Sequence, residues 1–78
     1  MNKLNLLTPR NKNQARLFSE LNFNYDVYSR LGPNDEMEKV NWRAMSFGMI
    51  RAYAMFFKDE SAEISRLWDD YIRDYFYG

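Results

Sequence analysis

Asp69, Asp70 and Asp74 are the closest grouping of carboxylates that could do chemistry in this chain. On a helix Asp70 and Asp74, four apart, share a face and would offer oxygen ligands to a divalent cation. Arg66 and Arg73 flank them. Arg66 can reach Asp69 and Asp70, and Asp69 can reach Arg73, at i+3 or i+4. A self-paired, solvated helix face is therefore the expectation, and no metal site. The chain has no histidine and no cysteine. That removes the usual general base near neutral pH, thiolate nucleophiles, disulfides and most zinc sites. There is no glycine-rich phosphate loop and no nucleophile motif. Neither a catalytic residue nor a cofactor is expected, and the chain reads as a non-enzyme.

A second group is basic. Arg10, Lys12 and Arg16, with Asn11, Asn13 and Gln14 between them, suit phosphates and base edges. Together with Lys3 they put four positive charges ahead of the first acid, Glu20. From Glu20 onward eleven acids face seven bases, so the net charge of zero hides a basic start and an acidic body. Four cations are few, and the aromatic residues fall at core spacing rather than interleaving with basic ones. A dimer would double the footprint. A small nucleic-acid-binding regulator is the alternative reading.

The third group lies in residues 41–57, NWRAMSFGMIRAYAMFF. On a helical wheel Met37, Val40, Ala44, Phe47, Ala54 and Met55 take one side; Trp42, Met45, Met49, Tyr53 and Phe56 take the opposite side. A helix apolar on two faces is central in a bundle or lends one face to a partner. Ala44, Gly48 and Ala52 add a line of small residues that suits a close helix contact, inside the monomer or between chains. Arg43 and Arg51 have no acid at i±3 or i±4. An antiparallel hairpin with the next helix would set Arg43 level with Asp74 or Tyr75, and Arg51 level with Leu67 or Asp70. An arginine among methionines and aromatics also has the composition of an interface anchor. Arg43, Gly48 and Arg51 are the candidate partner-binding residues.

These groups must be positioned by helices. Thr8-Pro9 suits a helix start, and the spacing predicts a first helix over about 9–21. A short second helix over about 24–31, separate or continuing the first through a kink, is preferred to a strand at Phe23–Tyr28, because a lone strand has no partner. Gly32-Pro33 is a stop. Asn34 or Asp35 can cap a central helix over about 35–57. An amphipathic helix over about 60–77 follows, with Ile64, Leu67, Trp68, Tyr71, Ile72, Tyr75 and Phe76 as its stripe. The expected fold is all-α: one domain over 1–78, a small bundle of three to four helices. Residues 1–7 are expected to form a flexible or extended arm.

With 78 residues and no disulfide, the domain must rely on packing, for which fourteen aromatic residues and five methionines are available. The start Met1–Leu7 is too short and polar for a signal peptide. The longest apolar run, Ala52–Phe57, is far short of a bilayer span. A cytoplasmic protein without membrane contact is expected. Its apolar helix surface exceeds what so small a monomer easily covers, so the partner expected is another protein or a second copy. Small chains of this type commonly serve as adaptors or inhibitors of larger complexes. Phage-encoded inhibitors of host defence are an analogy of size alone.

Overall fold

The computed structural model describes residues 3–78, and no strand occurs among them. Helix α1 spans Lys12–Ser29 and α2 spans Glu36–Phe56. A 3-10 turn, Lys58–Glu60, leads into α3, Ser61–Leu67. A π-helical turn, Trp68–Ile72, then joins α3 to α4, Arg73–Tyr77. The backbone stays helical through both junctions, so α3 and α4 form one rod. The result is a three-helix bundle.

The first helix differs from expectation at both ends. Thr8-Pro9 does not start it. Asn11 does, in extended backbone, with its Oδ1 accepting from the Gln14 amide at 2.8 Å. That cap satisfies a first-turn N–H that would otherwise lack a partner. The helix then continues through Asn22 and Asn24 without a break, merging the two expected short helices. No glycine or proline lies between Lys12 and Ser29, so nothing interrupts it. Both asparagines face other segments. Asn22 Oδ1 accepts from the Leu4 amide at 2.7 Å, and Asn24 Nδ2 donates to Ser46 Oγ at 3.2 Å. Gly32 does not close α1 in a left-handed cap, since no glycine has positive φ. Its N–H instead donates to the Asp35 carboxylate at 2.9 Å, which shapes the turn into α2.

Residues 3–9 have no regular secondary structure, yet Leu4 is buried against the core and Leu6 packs partly beside it. The core is Leu4, Leu17, Phe18, Leu21, Ile50, Tyr53, Ile64, Leu67, Trp68, Ile72 and Phe76. Beneath it sits a polar knot centred on Glu60. Its carboxylate accepts from Gln14 Nε2 at 2.6 Å, Tyr53 Oη at 2.9 Å and Asn11 Nδ2 at 3.2 Å. One acid thus ties the turn before α3 to both α1 and α2. Glu63 extends the knot to Arg10, whose Nε donates to it at 3.0 Å. The donors hold both carboxyls below the ordinary glutamate range, Gln14 acting most on Glu60 and Arg10 on Glu63. Burial and the neighbouring Glu60 push the Tyr53 hydroxyl up to about 12.

The C-terminal stripe departs from its expected register at one point. Ile64, Leu67, Trp68, Ile72 and Phe76 are buried, whereas Tyr71 is 48% exposed and Tyr75 half-buried. The cause is the π-helical turn, which holds one residue more than an α turn. Beyond it the core-facing positions move from 71 and 75 to 72 and 76. The same shift affects the charged side. None of the ion pairs among the described residues involves Arg66, Asp69, Asp70, Arg73 or Asp74. The expected pairing of Arg66 and Arg73 with Asp69 and Asp70 is absent.

Candidate docking face on the second helix

Helix α2 buries only a narrow arc and leaves most of its large apolar residues outside. Its buried residues are Ser46, Ile50 and Tyr53, and Ser46 is 0% exposed. Its exposed side carries Met37, Val40, Ala44, Met45, Phe47, Gly48, Ala52, Met55 and Phe56. At 100° per residue these occupy about half the circumference, interrupted by Glu38, Asn41 and Arg51. Phe56 is 81% exposed, Met37 79% and Met55 68%. Phe23 of α1, also exposed, extends the patch by packing edge-on against Trp42, 6.2 Å between ring centres.

The choice of buried arc has a local cause. Where α1 crosses α2, Asn24 needs a partner, and Ser46 Oγ and Met49 Sδ supply it. Arg43, Ser46, Ile50 and Tyr53 share one arc of the wheel, and that arc is turned inward. Turning the Met37, Val40, Phe47 and Met55 side inward instead would strand Asn24 and remove Tyr53 from Glu60. Polar satisfaction thus selects which side is buried. The expectation of a central helix holds only in that α2 packs against both α1 and the C-terminal rod; it is not enclosed.

The three sequence-selected residues fare differently. Arg43 is engaged internally. Its Nε donates to the Phe76 carbonyl at 2.7 Å, its Nη2 to Tyr28 Oη at 2.9 Å, and its Nη1 to Glu36 at 3.4 Å. The expected partner Asp74 is not used; the free carbonyls at the end of the rod are better acceptors for a planar fork. Gly48 does not make a close contact inside the monomer, because an added Cβ would meet nothing within 4 Å. Ala44 and Ala52 are exposed as well. The small-residue line therefore faces outward, and the small residue that α2 buries against α1 is Ser46. Arg51 is exposed and does not pair with Asp70. Its guanidinium lies 5.8 Å from the centre of the Phe47 ring. It borders a groove of about 350 Å³ between α2 and α3, together with Phe47, Met55, Trp68 and Asp69.

Arg10, Lys12 and Arg16 are not assembled into one patch. Arg10 is neutralised by Glu63 in the groove between the N-terminal segment and α3. Arg16 lines a different groove, beside Glu20, Met49 and Phe56. Lys12 is exposed at the first position of α1. Asp69, Asp70 and Asp74 are exposed on the rod, and no group of three acids among the described residues is placed to hold a metal ion. No described helix is long and apolar enough to cross a membrane.

No protein-family model matches this chain, and neither a curated protein nor a solved structure matches it.

Proposed function

We propose that the chain is a non-catalytic protein-binding module, such as an adaptor or inhibitor of a larger complex, that docks through the outer face of α2. The observation that carries this reading is the apolar outer side of that helix, which buries Ser46, Ile50 and Tyr53 while leaving Met37, Met55 and Phe56 in solvent. At about 200 Å² for a fully exposed large side chain, Met37, Val40, Met45, Phe47, Met55 and Phe56 together leave about 700 Å² of apolar surface. The largest patch on a typical monomer is about 300–600 Å². Methionine suits such a surface because its flexible thioether adapts to a partner's shape. Arg51, beside Phe47 at the edge, adds a charged contact of the kind interface anchors favour.

The nucleic-acid alternative has less support. Arg10 is already paired, and Arg16 and Lys12 do not form one track with it.

The test is affinity capture with wild-type protein and with Met37→Glu/Met55→Glu. Proteins retained by the wild type and lost by the double variant, with the helical circular dichroism unchanged, support the docking face. Equal retention by both proteins overturns it.

A further inference from the structure

We propose that the occupant of the α2 face in the free protein is a second copy of this chain, packed antiparallel across a two-fold axis. The proposal rests on reading that face as a docking surface, and it commits to what covers it.

The first argument is area. A stable interface needs about 800 Å² from each partner, and the six large apolar side chains of α2 come close to this unaided. Ala44, Gly48, Ala52 and the stem of Arg51 supply the remainder.

The second is self-complementarity. A two-fold interface uses the same patch twice, so each residue must suit its symmetry mate. Aligning Ala44 with the partner's Gly48 makes the centre of the contact small on both sides, and the two backbones can approach closely. The same register sets Met37 level with the partner's Met55, closing both ends with flexible side chains. Near the axis each Phe47 meets the partner's Phe47 on one flank, and each Met45 meets the partner's Met45 on the other. No bulky pair is forced together at the centre of the contact.

The third is charge. The outer face holds only two charged residues, Glu38 and Arg51, of opposite sign and near opposite ends of a helix about 31 Å long. An antiparallel copy brings each toward the end carrying the other sign. A parallel copy opposes like to like. The helix dipoles favour the antiparallel arrangement too, and a net charge of zero puts no repulsion between copies. Any foreign partner of this face then has to displace the second copy.

The chain lacks cysteine, which makes cross-linking free of background. Met37→Cys and Met55→Cys variants are oxidised separately and as a mixture. Mass is measured by light scattering for the wild type and for Met55→Glu, with circular dichroism as the fold control. The expected results are a wild-type mass twice the 9.5 kDa of one chain, a 37-to-55 disulfide in the mixture well above either variant alone, and a Met55→Glu mass of one chain. A wild-type monomer at high micromolar concentration overturns the proposal, as does ready 37-to-37 or 55-to-55 bonding, which signals a parallel pair. A dimer indifferent to Met55→Glu places the interface elsewhere. Monomer that co-sediments with anionic lipid vesicles assigns the face to a membrane surface instead. If the protein is monomeric yet Met37→Glu/Met55→Glu still loses captured proteins, only the second copy falls and the docking face stands.

Discussion

The Arg43 guanidinium donates from Nε to the main-chain carbonyl of Phe76 at 2.7 Å, joining the middle of α2 to the last turn of the C-terminal rod. Tyr28 completes the clamp, donating to the same carbonyl at 2.7 Å while accepting from Arg43 Nη2. A helix end that leaves its carbonyls free is thus capped from two neighbouring helices. Arg43→Met should lower stability by about 1.5–3 kcal/mol, the range for a hydrogen bond to a charged group. Arg43→Lys should recover only part, since an ammonium cannot reproduce the planar fork. Tyr28→Phe should cost less. Urea unfolding of the three variants checks the order, and an Arg43→Met variant as stable as wild type would remove the clamp from the account.

The Glu60 knot makes the fold acid-sensitive. Its folded carboxyl sits below the ordinary range because Gln14, Tyr53 and Asn11 donate to the charged form. Glu63 is lowered likewise by Arg10. Their stabilisation is present above the ordinary glutamate value and is lost as pH falls through the lowered one. Melting temperature should therefore drop as pH goes below about 4.5, and Glu60→Gln should melt lower than wild type at pH 7 with a flatter acid limb. A wild-type melt independent of pH across that window would contradict the geometry.

At the alkaline end Tyr53 supplies the opposite sign. Its hydroxyl is raised to about 12 in the fold, first by burial and then by Glu60, so its contribution is complete below about 10 and fades as pH rises through 12. Tyrosinate absorbance during a pH titration should show one late component that is missing in Tyr53→Phe.

Trp68 is a core residue, 5% exposed, with its ring against Phe47, Phe76 and Tyr77. Trp68→Ala should cost about 3–5 kcal/mol, a large share of what a 78-residue domain holds. Retention of the wild-type melting temperature would show that the side chain packs against nothing of consequence.

Gly48 offers a substitution expected to stabilise. It lies inside α2, has ordinary backbone, and has open space where a Cβ would go. Gly48→Ala should raise monomer stability by about 0.5–1 kcal/mol through lower unfolded-chain entropy. Denaturant unfolding in dilute solution reads this directly, and a loss of stability there would mean that the glycine already faces a neighbour within the chain.

Helical class, the turn near Pro33 and most of the C-terminal stripe were legible because each rests on local rules: proline geometry, the 3.6-residue period, the absence of breakers. Two things were not. The wheel of α2 displays two apolar arcs and cannot say which is buried, because the choice is made by Asn24 and Glu60, residues distant in sequence from the helix they orient. Arg43 was legible as an arginine in need of a partner. Its partner was not, because a main-chain carbonyl carries no signature in side-chain composition. The exposed apolar side of α2 was half visible: Met37, Val40 and Met55 stood out as apolar, but their exposure follows from the burial of the arc that holds Ser46.

The π-helical turn over Trp68–Ile72 has a bearing on chain length. A rod one residue shorter, lacking Asp70, would place the retained core residues at the intervals of an unbroken α-helix, with Ile64, Leu67 and Trp68 followed one and two turns on by the side chains that are now Ile72 and Phe76. The core would close as before, and Phe76 would still reach Arg43. The C-terminal rod is therefore built with a spare residue: a single deletion in the Asp69-Asp70 pair should leave the melt nearly unchanged, whereas a single deletion between Ile64 and Leu67 should rotate the stripe out of the core and unfold the domain.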